Sequence, residues 1–255
     1  MSEFKKRVIT GVIAFIVLAF FIVIGGWPFK LAILFVSLAL CHELSHALKN
    51  KDYHIPEPLI LLGCIFHYIA FQFELPMFIA LAFSCFFLLI QFLINDNFHL
   101  EDAAVSVLIL VYIPFFLFPI IHLSGTVYIY SIFVIAFATD IFAYLTGMSI
   151  GKHKLIPKVS PNKTIEGAIG GIVGAIVCGG IYFYFSDIKL TWIYIVFLAA
   201  SSISGQLGDL FASKIKRETG IKDYGKALPG HGGFMDRFDS ILLIIPMVYL
   251  LYWIH

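Results

Sequence analysis

Apolar side chains run almost unbroken through nine stretches of the chain, at 8–25, 29–48, 57–72, 75–94, 103–121, 125–147, 166–186, 190–211 and 239–254. Each is bounded by Pro, Gly or charged residues, and most approach the ~20 residues a helix needs to cross the hydrocarbon core of a bilayer. The pattern predicts an all-α polytopic membrane protein with about nine transmembrane helices. Stretches 8–24 and 75–94 are close to uniformly apolar, and no internal repeat is visible. The connections are too short for a second domain, and only 148–165 and 212–238 have any size. Those two cytoplasmic loops should carry the chemistry. They divide the chain into N-terminal transmembrane helices at 1–124 and a catalytic transmembrane region at 125–255.

Composition strengthens this picture. Of 255 residues, 60% are hydrophobic and 13% charged, which is far outside the soluble range. The net charge of +1 leaves no basic field for a nucleic acid. Cys41, Cys64, Cys85 and Cys178 lie within apolar runs without C-x-x-C spacing, as reduced packing residues do. Lys5, Lys6 and Arg7 precede the first stretch, but no small-residue cleavage site follows, and Gly25-Gly26-Trp27-Pro28 suits an interfacial turn. The stretch is therefore expected to be a retained span. With the N-terminus cytoplasmic, all 17 Lys and Arg except Lys30 and Lys189 fall on that side. The C-terminus, ending Tyr252-Trp253-Ile254-His255, is then external.

Polar residues inside the apolar stretches are more informative. Asp140 interrupts one of them, and Ser201, Ser202, Ser204, Gln206 and Asp209 make the second half of 190–211 polar. An ionisable group at membrane depth is costly without a partner, so it points to function unless it reaches water from a helix end. Asp209, Asp223, Asp236 and Asp239 then supply carboxylates, interleaved with Lys214, Lys216, Arg217, Lys222, Lys226 and Arg237. Acids suited to Mg²⁺ beside bases suited to phosphate describe a metal-and-polyphosphate site. The alternative is a solvated basic loop that touches anionic headgroups. Pro229-Gly230-His231-Gly232-Gly233 allows a tight turn that presents amides to an anion. In the other connection, Ser160-Pro161-Asn162-Lys163-Thr164 precedes the helix beginning near Ile165. It reads equally as a phosphate-binding helix start or as a Ser or Thr cap beside topology-setting lysines.

The run from Gly208 to Ser240, with Lys216-Arg217, Lys222-Asp223, the Pro229–Gly233 turn and Asp236-Arg237-x-Asp239-Ser240, resembles the C-terminal motif of phosphatidate cytidylyltransferases. A second stretch, from Asp140 through Ala143-Tyr144, Gly147 and Gly151-Lys152 to Ser160–Gly167, is similar to that family's other motif. One departure is Ala212, where the family often has an acid. The residues before these stretches match only in being hydrophobic.

The resemblance implies transfer of CMP from CTP to phosphatidate at the cytoplasmic face, with membrane lipids as surroundings and no nucleic acid. It implies Mg²⁺ on Asp209, Asp236 and Asp239, with Asp140 as a further ligand. Lys163, Lys214, Lys216, Arg217, Lys222 and Arg237 would contact phosphate, alongside Ser160, Asn162, Thr164, Gly232 and Gly233. Asp223 joins the catalytic set and His231 an electrostatic role. A second cation and a homodimer are compatible with it. Were the ends of the last two helices to meet, Asp209, Asp236 and Asp239 would stand around one point.

One motif points elsewhere. His42-Glu43-Leu44-Ser45-His46 is an H-E-x-x-H, the zinc pattern of metalloproteases, here within an apolar stretch. No downstream Asp-Gly or N-P-D-G-like segment offers the third ligand a catalytic zinc needs. The motif is therefore expected to be incidental, a helix end at the cytoplasmic interface beside Lys49 and Lys51, with Glu43→Gln leaving lipid product formation within a few-fold.

Overall fold

A computed structural model describes residues 3–227, 230 and 232–255, with side chains from residue 9 onward. Among these residues it is helical nearly throughout. The helices are α1 (Glu3–Ile24), α2 (Gly26–Lys49), α3 (Glu57–Gln72), α4 (Met77–Ile94), α5 (Leu100–Leu110), α6 (Val127–Ile150), α7 (Ile165–Phe185), α8 (Trp192–Thr219) and α9 (Met235–Ile254). Among the described residues seven segments are long and apolar enough to cross a membrane: α2, α4, residues Leu100–Ile121, α6, α7, α8 and α9. The apolar parts of α1 and α3 are shorter, at Ile9–Ile24 and Glu57–Gln72.

Local chemistry explains the breaks. Gly25, with φ of +62°, turns the chain between α1 and α2. Beyond α5 the helix widens into a π-turn at Val111–Phe115 around Pro114, which has no N–H and crowds the carbonyl one turn back. Thr126 caps α6 by accepting from the Tyr128 amide, and Thr164 caps α7 by accepting from the Gly167 amide at 3.0 Å. α8 stops at Gly220, whose φ is +71°, where the Ile221 amide donates back to the Lys216 carbonyl.

Two expected loops are shorter than the hydropathy pattern suggested. α8 runs on to Thr219 and α9 begins at Met235, so Lys214, Lys216, Arg217, Asp236 and Asp239 all sit on helices. No Gly or Pro interrupts 209–219, and polar side chains do not stop a helix that has left the apolar core. Within 148–165, β1 (Lys154–Ile156) and β2 (Ser160–Thr164) form an antiparallel hairpin, pairing Lys154 with Thr164 and Ile156 with Ser160. Glu166 holds its base by accepting from the Lys152 and His153 amides and pairing with His153 Nδ1 at 2.6 Å.

The chain divides into two compact units. The first comprises 1–121 and 215–237, and the second 122–214 and 238–255. In the second, α6 and α7 cross so closely that a Cβ on Gly171 would come within 2.9 Å of the Thr139 carbonyl oxygen. Small residues permit such backbone approach where lipid supplies no hydrophobic drive for helix association. The polar half of α8 partly serves the same packing. Ser202 is fully buried and hydrogen-bonds Thr139 at 2.8 Å, while the Tyr128 and Tyr194 hydroxyls meet at 3.0 Å.

Candidate active site

In the second unit, the end of α6, the hairpin, the start of α7 and Gln206 of α8 enclose a cavity of about 370 Å³. Asp140, Asn162, Lys163 and Thr164 line it. So do Tyr144, Met148 and Leu155, which form an apolar wall. Lys163 reaches from β2 to α8 and pairs with Asp209 Oδ2 at 2.6 Å, and both side chains keep roughly 30% of their surface exposed (28% and 32%). Ser213 donates to the other Asp209 oxygen at 3.2 Å. Gln206 donates to the Ala168 carbonyl oxygen at 3.1 Å, which ties α8 to α7 beside the cavity. Thr164 spends its hydroxyl on capping α7, whereas Lys163 one residue earlier projects to the acid. Asp239 is 9% exposed, and its Oδ1 accepts from the Ser240 amide at 2.8 Å. Gly208 of α8 lies directly against the Asp239 backbone, where a Cβ would collide with its carbonyl oxygen.

In the first unit, the connection after α8 folds around Asp236. Lys216 pairs with its Oδ1 at 2.9 Å, and the Tyr224 and Gly233 amides both donate to its Oδ2 at 2.9 Å. The Lys216 ammonium also lies over the Tyr224 ring, 5.5 Å from its centroid. The pair is well shielded, with 18% of the Lys216 side chain and 6% of the Asp236 side chain exposed. Lys214, Arg217, Lys222, Asp223 and Arg237 are exposed, whereas Ala212 is fully buried. His231 and Pro229 lie outside the described residues. The glycine-rich turn was expected to offer amides to a substrate anion. In the structure the Gly233 amide meets the chain's own Asp236, and a Cβ on Gly232, at φ +83°, would run into that same carboxylate.

The H-E-x-x-H needs a correction. Its outer residues behave as expected: His42 is exposed and bonds Glu57 at 2.5 Å, while Lys49 takes the other Glu57 oxygen at 2.6 Å. Glu43 does not meet the interface. It is 7% exposed and accepts from the Phe234 amide at 3.1 Å and the Met235 amide at 2.8 Å, which caps α9 from 192 residues away. Among the described residues no three His, Cys, Asp or Glu side chains are gathered so as to hold a metal ion. Catalytic zinc takes three such protein ligands, and here His42 Nδ1 is bonded to Glu57 while Glu43 is committed to the start of α9. Mg²⁺ makes a lighter demand, one or two carboxylates with phosphate and water completing an octahedron. Within the second unit, Asp209 keeps lone pairs beyond its contacts with Lys163 and Ser213.

The sequence model of the cytidylyltransferase family matches residues 5–255. The chain belongs to the cytidylyltransferase family. Among its relatives is the phosphatidate cytidylyltransferase of Bacillus subtilis (strain 168), 35% identical over 98% of both chains. The enzymes of the same description from Staphylococcus haemolyticus (strain JCSC1435) and Staphylococcus aureus (strain COL) are 34% and 35% identical, each over 97% of this chain and 98% of their own. The similarity therefore reaches the first 130 residues, which the two motif stretches left unmatched, and it includes Glu43 of α2 within its span.

Proposed function

We propose that this family member transfers CMP from CTP to phosphatidate, giving CDP-diacylglycerol and pyrophosphate for phospholipid synthesis. A phosphatidate phosphate oxygen attacks the α-phosphorus of CTP, forming a new P–O bond. The bond from that phosphorus to the oxygen bridging to the β-phosphate breaks, and pyrophosphate leaves. The nucleophile is already an anion, so no general base is required; the protein must align two phosphates and offset their repulsion. The observation that supports this reading most directly is Lys163, paired with Asp209, on the wall of an open cavity that Asp140 and several apolar side chains also line. Lys163 suits a phosphate, and Tyr144, Met148 and Leu155 suit the lipid end of an amphiphilic substrate.

Mg²⁺ would be held by carboxylates drawn from Asp209, Asp236, Asp239 and Asp140, and when bound it would withdraw charge from the polyphosphate. Lys216, Lys214, Arg217, Lys222 and Arg237 would neutralise the remaining phosphate charge, with Ser160 and Asn162 donating hydrogen bonds. The charge split supports a cytoplasmic face for this chemistry, and a reporter joined after His255 should accordingly read as external. Purified protein should convert phosphatidate in a CTP-dependent reaction that stops on chelation and resumes with Mg²⁺. Absence of CDP-diacylglycerol under those conditions would overturn the assignment.

A further inference from the structure

Glu43 is a buried acid in a helix long and apolar enough to span a membrane, and the transfer reaction does not use it. Such a residue is expensive to keep. The structure shows where its carboxylate is committed. Both oxygens accept from the first amides of α9, those of Phe234 and Met235, where the helix dipole also favours negative charge. Phe35, two turns earlier on α2, packs edge-on against Phe234 with ring centroids 6.0 Å apart.

The two glycines of the connection are shaped to this carboxylate. A Cβ on Gly225 would strike Glu43 Oε1, and the three nearest atoms to a Cβ on Gly233 would all belong to the Glu43 carboxyl group. Glu43 thus holds the start of α9 by two hydrogen bonds and lies directly against Gly225. The amides divide between the two acids: Tyr224 and Gly233 donate to Asp236, and the next two residues, Phe234 and Met235, donate to Glu43. With the Phe234–Met235 backbone fixed, the adjoining Gly233 amide and the Asp236 side chain can take only a narrow set of relative orientations.

We infer that Glu43 is a positioning residue for cytidylyl transfer, locking the start of α9 and the backbone at Gly225 and Gly233 so that Asp236 presents its carboxylate in one fixed orientation. The inference rests on the transfer reading above and adds to it a residue that touches neither substrate.

Glu43→Gln and Gly225→Ala test this from the two sides of the same contact. Gln keeps the bulk but turns an NH₂ toward one of the two amide donors, leaving that donor without an acceptor. Ala at 225 pushes the intact carboxylate away while leaving α2 unaltered. Both variants should lower kcat by about 10–100-fold, the scale on which groups supporting a metal ligand are felt. Both should raise the Mg²⁺ concentration needed for half-maximal rate while leaving the KM for phosphatidate close to wild type. Hydrogen exchange at the Phe234 and Met235 amides, read without any turnover, should accelerate in both.

A merely structural Glu43 would instead lower the yield and melting temperature with kcat per folded molecule unchanged, and that result overturns the inference. So does wild-type kcat in both variants beside an active parent. If Glu43→Gln fails to fold, Gly225→Ala decides alone. An inactive parent overturns the transfer reading itself, and the role claimed for Glu43 in it.

Discussion

The two units each hold an Asp–Lys pair, and the pairs are built on different terms. Lys163–Asp209 bridges a hairpin to a helix at the edge of a cavity, with close to a third of each side chain exposed. Lys216–Asp236 is shielded and braced by two backbone amides, and the connection around it is clamped by a second buried acid. A partly exposed ion pair contributes less to stability than a shielded one, so its lysine can exchange the acid for a phosphate at smaller cost. A shielded pair loses far more when one partner is removed, so it holds a geometry. The difference suggests a division of labour in which the hairpin lysine adapts to what binds and the α9 carboxylate stays where the fold puts it.

The comparison breaks most visibly at Asp236. Asp236→Asn keeps the size but removes the charge, and turnover should fall by at least about a hundredfold, the scale of losing one preorganised electrostatic contact to a transition state. The assay is CTP-dependent product formation on protein confirmed as folded; near-normal activity would remove Asp236 from the metal set and undo the contrast.

Lys163→Met should act more gently and on a different parameter. Losing one charge-assisted contact of about 1.5–3 kcal/mol corresponds to roughly 10–100-fold weaker apparent affinity for CTP or phosphatidate. Thermal stability should change less than for the Lys216–Asp236 pair, because the pair with Asp209 is only partly buried. A large loss of melting temperature with unaltered kinetics would mean that the pair is structural.

The smallest effect is expected at Gly208, where α8 meets the Asp239 backbone. Ala there overpacks the contact, at a cost of about 1–3 kcal/mol, and should shift the melting temperature more than it shifts KM for either substrate. Unchanged stability would show that α9 can move at Asp239, contrary to the rigidity ascribed to this end of the helix.

Much of the fold was legible because lipid as a solvent makes local demands. Runs of apolar residues, Thr164 as a cap and Gly220 as a stop each report geometry within one or two turns. The site was legible in part. Lys163, Asp209 and Asp236 stand out as charges in or beside apolar stretches. Glu43 carries the same signal as Asp140, an acid in an apolar run, but it stands inside an H-E-x-x-H, a pattern that points to zinc rather than to a helix cap. Gln206 was noted as polar, but nothing in its spacing showed that it would border a cavity.

The sequence by itself determined that this chain is a bundle of membrane-spanning helices and which charged residues interrupt them, since both follow from the energy of placing each side chain in hydrocarbon. Only the tertiary structure decided the partners. Lys163 forms its ion pair with Asp209 and not with Asp140, which is nearer in sequence, and the Gly233 amide serves Asp236 while those of Phe234 and Met235 serve an acid near the other end of the chain. Polar contacts between distant segments depend on how helices pack and turn against one another, and the single side chains that make them leave no periodic trace from which spacing could recover the pairing.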